Sequence, residues 1–171
     1  MTPFMWILFV LIIIQRLFEL QIAKRNEKWM KEEGGVETGK KHYKWFVLIH
    51  SIFFLSILME ATMLDNSLLP FNYLLFVVFL LTQASRIWCL LSLGKFWNTK
   101  IIVLPGASLV KKGPYKYVKH PNYIIVGVEL FIIPLLFGAY ITAFVFPILH
   151  IVLLRIRIPL EEEALMKAGK T

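Results

Sequence analysis

The chain has 171 residues, 58% of them hydrophobic, with a net charge of +8 and a mean hydropathy of +0.68. Soluble domains run at roughly 45–50% apolar, so a soluble globule is excluded and an integral membrane protein is expected. One cysteine, Cys89 inside an apolar run, excludes a disulfide framework, and the lysines flank apolar runs instead of building an aromatic-studded basic face, which argues against nucleic acid and for lipid contact.

A single domain over residues 1–171 is expected, all-α, with about five transmembrane helices. The first segment runs about Pro3–Ala23, the second Trp45–Leu64 and the third Leu69–Leu93. Each offers about 20 residues or more, enough for a hydrocarbon layer of about 30 Å. No basic region precedes the first run, so it reads as a span and not as a secretory signal. The intervening stretch Lys24–Lys44 reads as a charged helix ending at Gly34-Gly35. Gly94–Lys119 is a long loop with an apolar patch at Ile101–Leu104, broken by Pro105-Gly106. Loops of this length commonly form lids or binding surfaces. The fourth and fifth segments, Tyr123–Phe137 and Tyr140–Leu154, are short and joined by Gly138-Ala139, which predicts a tight hairpin. Pro121 suits the first turn of the fourth helix, and Pro134 is expected to bend it.

Charge asymmetry orients these segments. Lysines and arginines crowd Lys24–Lys44 and Lys95–Lys119, and Lys167 and Lys170 follow the last span. The N-terminal tip, Asp65-Asn66-Ser67 and Gly138-Ala139 carry none. The positive-inside rule then places the N-terminus out and the C-terminus in the cytoplasm, which an odd number of spans satisfies.

Ionisable residues within spans are costly and call for partners. Arg16 and Glu19, three apart, are expected to pair on the first helix, and Arg86 with Glu129 across helices; Glu60 reads as structural or interfacial. His42, His50, His120 and His150 are scattered, and with a single cysteine no metal site is expected. His150 reads as a hydrogen-bonded core histidine. His120 differs, because it stands at a helix start after the Gly113-Pro114 turn, among Tyr115, Tyr117 and Tyr123. The predicted hairpin returns Arg157 and the run Glu161-Glu162-Glu163 to the same membrane face.

Gly113-Pro114-Tyr115, His120-Pro121-Asn122-Tyr123 and Arg157 followed by Glu161-Glu162 and Leu165 together resemble the isoprenylcysteine carboxyl methyltransferase family of membrane enzymes. Arg16-Leu17-Phe18-Glu19-Leu20, Lys24-Arg25-Asn26 and the stretch from Gly34 to Gly39 are similar to a bacterial branch of it. The resemblance implies S-adenosylmethionine as cofactor, contacted by Tyr115, His120, Pro121, Asn122, Tyr123 and Glu161. Lys100 and the stretch Ala107, Ser108, Leu109, Val110 would complete that pocket. Arg157 would lie on the substrate side, with Arg157 and Glu161 as catalytic residues. Ala107 stands where eukaryotic members carry a histidine, and the aromatic C-terminal extension that many members have is not expected here.

The resemblance also implies a lipophilic acceptor held in the membrane and an active site facing the cytoplasm. The bacterial branch favours the hydroxyl of an alkylpyrone or alkylresorcinol polyketide and a functional link to a type III polyketide synthase. A carboxylate acceptor, as in prenylcysteine, would need only orientation by a cation. A phenol or enol must lose a proton, to Glu161 or His120. Two rival readings stand beside this one. A nicotinamide-dependent membrane reductase would need a larger phosphate-binding surface, and a lipid-binding scaffold would use its charged clusters only to orient helices.

Overall fold

The computed structural model describes residues 1–63 and 71–169. The Asp65-Asn66-Ser67 turn, the expected segment ends Leu64 and Leu69, and Lys170 lie outside the described residues. Five helices follow one another: α1 Pro3–Glu32, α2 Lys40–Met63, α3 Tyr73–Leu93, α4 Pro121–Leu136 and α5 Tyr140–Lys167. Two three-residue strands, β1 Val36–Thr38 and β2 Ile101–Val103, and two 3-10 turns, Gly94–Phe96 and Gly113–Lys116, complete the chain.

Four helices, α1, α2, α3 and α5, are long and apolar enough to cross a membrane. With 16 residues, α4 reaches only about 24 Å, short of the ~30 Å hydrocarbon layer. It packs antiparallel to α5, as Phe131 against Phe144 and Tyr123 against Arg157 show. The Gly138-Ala139 hairpin therefore forms. Pro134 sits in the last turn of α4, where its carbonyl accepts from Phe137 N and Ala139 N. It helps to close the helix, which stops two residues later.

Helix α2 starts at Lys40, ahead of the expected Trp45, and α1 and α5 run further still beyond the hydropathy pattern. The segment expected to end at Ala23 continues unbroken to Glu32, merging the span with the charged helix beyond it. Thr2 starts α1 by accepting from Met5 N, and Gly34, at φ +85°, ends it. The last segment, expected to end at Leu154, continues to Lys167 through Pro147 and Pro159. Both extensions are charged helical turns past the apolar stretch, which hydropathy alone cannot join to it.

The chain also departs from an all-α fold. β1 and β2 pair antiparallel, with Val36 opposite Val103 and Thr38 opposite Ile101. Ile101, Ile102 and Val103 are all buried, so the apolar patch of the long loop is a strand packed against the bundle. Three residues are too few to show a period of two. The ribbon ties the α1–α2 connection to the α3–α4 connection at one end of the bundle. Asn26 adds a second tie, donating to the carbonyls of Gly94 and Trp97.

The apolar core lies toward the opposite end, where Phe9 meets Phe137 and Phe53 meets Phe146 edge to face, at 5.5 and 5.3 Å. Between core and ribbon lies a buried ionic quartet. Arg16 bonds Glu19 and Glu129 at 3.0 and 2.8 Å, and Arg86 bonds the same two carboxylates at 2.7 and 2.9 Å. The two expected pairs are thus one closed ring of zero net charge across α1, α3 and α4. Glu60 is structural. From α2 it accepts from Ile141 N, Thr142 N and Thr142 Oγ1 at the start of α5. Ala139 supplies no side-chain cap there, so Glu60 caps the helix from outside and meets its positive end. Glu60→Ala is expected to cost about 1–2 kcal/mol. A lowered thermal midpoint in detergent is the expected result, and an unchanged midpoint refutes it.

Candidate functional site

The long loop reaches its helix through the Gly113–Lys116 turn, which lies on α3. Gly113 has φ +53°, and a Cβ there would stand 2.1 Å from Ser92 Oγ and 2.8 Å from Trp88 Nε1. Only glycine allows this approach. The turn delivers Tyr115 against Cys89 of α3; burial, then the neighbouring thiol and Glu161, push the Tyr115 hydroxyl far up, so it stays a neutral phenol. His120 is the residue before α4 but makes no side-chain cap. Its ring instead stacks on Tyr123, with centroids 5.4 Å apart.

Tyr123 is the centre of the arrangement. Its hydroxyl donates to Glu161 Oε2 and accepts from Arg157 Nε at 2.8 Å. Arg157 Nη2 donates to the Thr99 carbonyl at 2.6 Å, and the guanidinium lies 4.7 Å from the centroid of Phe46. A buried cation is thus held by a phenol, a backbone carbonyl and an aromatic face. His120 Nδ1 lies 3.9 Å from Glu161, and Nε2 lies 3.6 Å from Glu162. Both distances exceed a hydrogen bond, and among the described residues His120 Nε2 is buried without a hydrogen-bond partner. The same is true of Asn122 Oδ1 and Trp97 Nε1.

These groups line one cavity of about 430 Å³. It extends from Tyr115, His120, Asn122 and Glu161 past Arg157 and Phe46 to His50 and His150, and reaches Arg16, Glu19 and Arg86 of the quartet. Ile13, Leu17, Leu20, Val47, Phe54 and Val126 make its walls largely apolar. A volume in this range suits a small organic ligand.

Of the residues singled out in the sequence, Lys100, Tyr115, His120, Asn122, Tyr123, Arg157 and Glu161 line this cavity. Lys100 is bound to Glu27 at 2.6 Å and lies 3.7 Å from Glu37, so its charge anchors the ribbon. Pro121 is buried at the start of α4, and Ala107, Ser108, Leu109 and Val110 lie outside the lining residues. Among the described residues no three His, Cys, Asp or Glu converge as metal ligands. Phe46, Trp97 and Thr99 were not singled out from the sequence. Thr99 acts through its carbonyl, which carries no sequence signal, and the other two are indistinguishable by type from ordinary core or interfacial aromatics.

Residues 74–167 match the model of the isoprenylcysteine carboxyl methyltransferase family. The uncharacterized protein YpbQ of Bacillus subtilis is 44% identical over 164 residues, 95% of this chain and 96% of its own. An uncharacterized protein of Haemophilus influenzae is 28% identical over 163 residues, 95% of each chain. No solved structure matches the chain.

Proposed function

The chain belongs to the isoprenylcysteine carboxyl methyltransferase family, a family of membrane methyltransferases, and from that premise we propose that it methylates the hydroxyl of a lipophilic acceptor held in the membrane, with S-adenosylmethionine as methyl donor. The favoured acceptor is an alkylpyrone or alkylresorcinol, made by a type III polyketide synthase acting beside it. In this reading α4 and α5 form a hairpin that brings the spans to five, with the N-terminus out. The ribbon end of the bundle faces the cytoplasm at the cell membrane, where the lysine-rich segments gather.

The observation that carries the proposal is the shared wall of the cavity, where Tyr123, Arg157 and Glu161 are bonded together beside the partnerless His120 Nε2 and Asn122 Oδ1. Buried polar atoms left unpaired are uncommon and suit a polar ligand. An imidazole, an amide oxygen, two phenols and a carboxylate fit a ligand carrying an amino acid, a nucleoside and a sulfonium. That donor supplies an activated methyl group. Glu161 would hold the cationic end of that donor by its negative charge, which aids binding more than rate. Tyr123 holds Glu161 and Arg157 in fixed register, and Arg157 orients the acceptor oxygen. The apolar walls exclude water and hold the lipid chain, so alignment supplies most of the acceleration.

Calorimetry of S-adenosylmethionine with purified protein in detergent tests this. The wild type is expected to bind saturably, and Glu161→Gln at least about tenfold more weakly, the loss of one charge-assisted contact. Absence of binding by folded wild type overturns the proposal. Mass gain of one methylene on each candidate acceptor then separates alkylresorcinol from prenylcysteine.

A further inference from the structure

His50 lies on α2 one turn beyond Phe46 and faces the cavity, with no role in the mechanism above. Its Nδ1 stands 2.8 Å from the Phe46 carbonyl oxygen. A carbonyl only accepts, so Nδ1 carries the hydrogen. In the neutral ring Nε2 is then a bare lone pair, and no hydrogen bond reaches it among the described residues. His150 on α5 repeats the arrangement with the nitrogens exchanged. Its Nε2 lies 3.1 Å from the Tyr123 carbonyl, so Nε2 carries the hydrogen and the lone pair sits on Nδ1, buried and without a partner among the described residues. The two rings meet edge to face at 6.5 Å.

The cations nearby are engaged. Arg16 and Arg86 are spread over Glu19 and Glu129. A polar ligand beside the two imidazoles therefore meets two bare ring nitrogens, while the neighbouring Arg16 and Arg86 are already bonded to carboxylates. A hydroxyl supplies the missing hydrogen; a carboxylate brings only more lone pairs. Glu161 already receives the Tyr123 hydrogen.

We infer that His50 is the base of the reaction, a role that rests on the methyl-transfer reading: its Nε2 accepts the hydrogen of a phenolic or enolic hydroxyl and takes up that proton as the oxygen is methylated. The O–H bond breaks toward His50, the new O–CH3 bond forms, and the electron pair of the broken S–CH3 bond stays on sulfur as a neutral thioether. His50 then returns the proton to water. The titratable and charged groups around it are Arg16 and Glu19 on α1, Tyr43 on α2, Arg86 on α3, Glu129 on α4, and His150 and Arg157 on α5.

His50→Gln keeps an acceptor oxygen but cannot take a proton. The test compares two acceptors of equal chain length: a pentadecylphenol, and a nitro-substituted pentadecylphenol already ionised at neutral pH. The variant is expected to lose about 100-fold in kcat on the plain phenol and less than about threefold on the ionised one, as loss of a general base requires. Binding of S-adenosylmethionine by calorimetry stays unchanged. His50→Asn, which retains an N–H for the Phe46 carbonyl, carries the same comparison if the Gln variant does not bind the donor. Equal losses on both acceptors, or wild-type rates on the plain phenol, overturn the assignment while leaving the methyltransferase reading intact. A folded wild type that binds no donor and methylates neither phenol nor prenylcysteine overturns both.

Discussion

Arg157→Ala is expected to lower methyl transfer by about 100-fold or more, in line with the loss of a positioning group in a preorganised site, while the protein still inserts and folds. The side chain joins three elements: Tyr123 of α4, the Thr99 carbonyl before β2, and the Phe46 face of α2. Truncation leaves the Thr99 carbonyl without this donor and frees the Tyr123 ring to move away from Glu161. Arg157→Lys does not rescue, because a point charge cannot donate from Nε and Nη2 in two directions at once. Glu161→Gln and His120→Ala each lose at least about tenfold for the related reason that they frame the same tyrosine. Rates are measured on protein shown by calorimetry or thermal melting to be folded. Wild-type-like rates in all three variants overturn the site.

Glu129→Ala is expected to destabilise the bundle by about 3–5 kcal/mol, the range for breaking a buried ion pair by removing one partner. Arg86 Nη1 loses its acceptor, and Arg16 Nη2 and Gln83 Nε2 keep only the longer bonds to Gln83 Oε1 and Thr82 Oγ1. Two arginines then share Glu19 alone, leaving one net positive charge buried between α1, α3 and α4. Exchanging Arg86 and Glu129 together for apolar residues of similar volume is expected to cost less, since no charge of that pair is stranded. Thermal unfolding in detergent compares the two; a double variant less stable than Glu129→Ala refutes the account. Because Arg16, Glu19 and Arg86 also line the cavity, the quartet joins stability of the bundle to the shape of the site.

Much of the fold was legible because a bilayer imposes a simple rule. Backbone groups in hydrocarbon must be bonded internally, so a span is an apolar run of helical length, and Pro3–Ala23 announces itself by composition. The same rule hides what lies beyond each run. The charged turns that extend α1 to Glu32 and α5 to Lys167 read like loop, because water-exposed helix carries no hydropathy signal of its own. The ribbon escaped notice for a different reason. Three residues of Val36–Thr38 bond to three of Ile101–Val103, more than 60 positions away, and neither strand has a period long enough to detect.

The polar residues divide along similar lines. Arg16 with Glu19 was readable because an i, i+3 pair is local, and a buried charge must find a partner. His120, Tyr123, Arg157 and Glu161 were marked by polar text at the edges of apolar runs and by a family resemblance. The closure of the quartet was not readable, since Arg16 reaches Glu129 across 113 positions and only helix packing sets that distance. Nor was the chemistry of His50, whose bare nitrogen follows from one carbonyl 2.8 Å away.

By itself, then, the sequence determined a membrane protein of helical spans, their boundaries on the apolar side, and the two polar clusters that a hairpin must bring to one face. It could do so because lipid selects by composition. Which atoms meet was decided only by the tertiary structure: the Thr99 carbonyl on Arg157, the closed ring of four charges, the ribbon, and the facing imidazoles. Hydrogen bonds are short and directional, so their partners are set by where packing places the backbone and not by residue type.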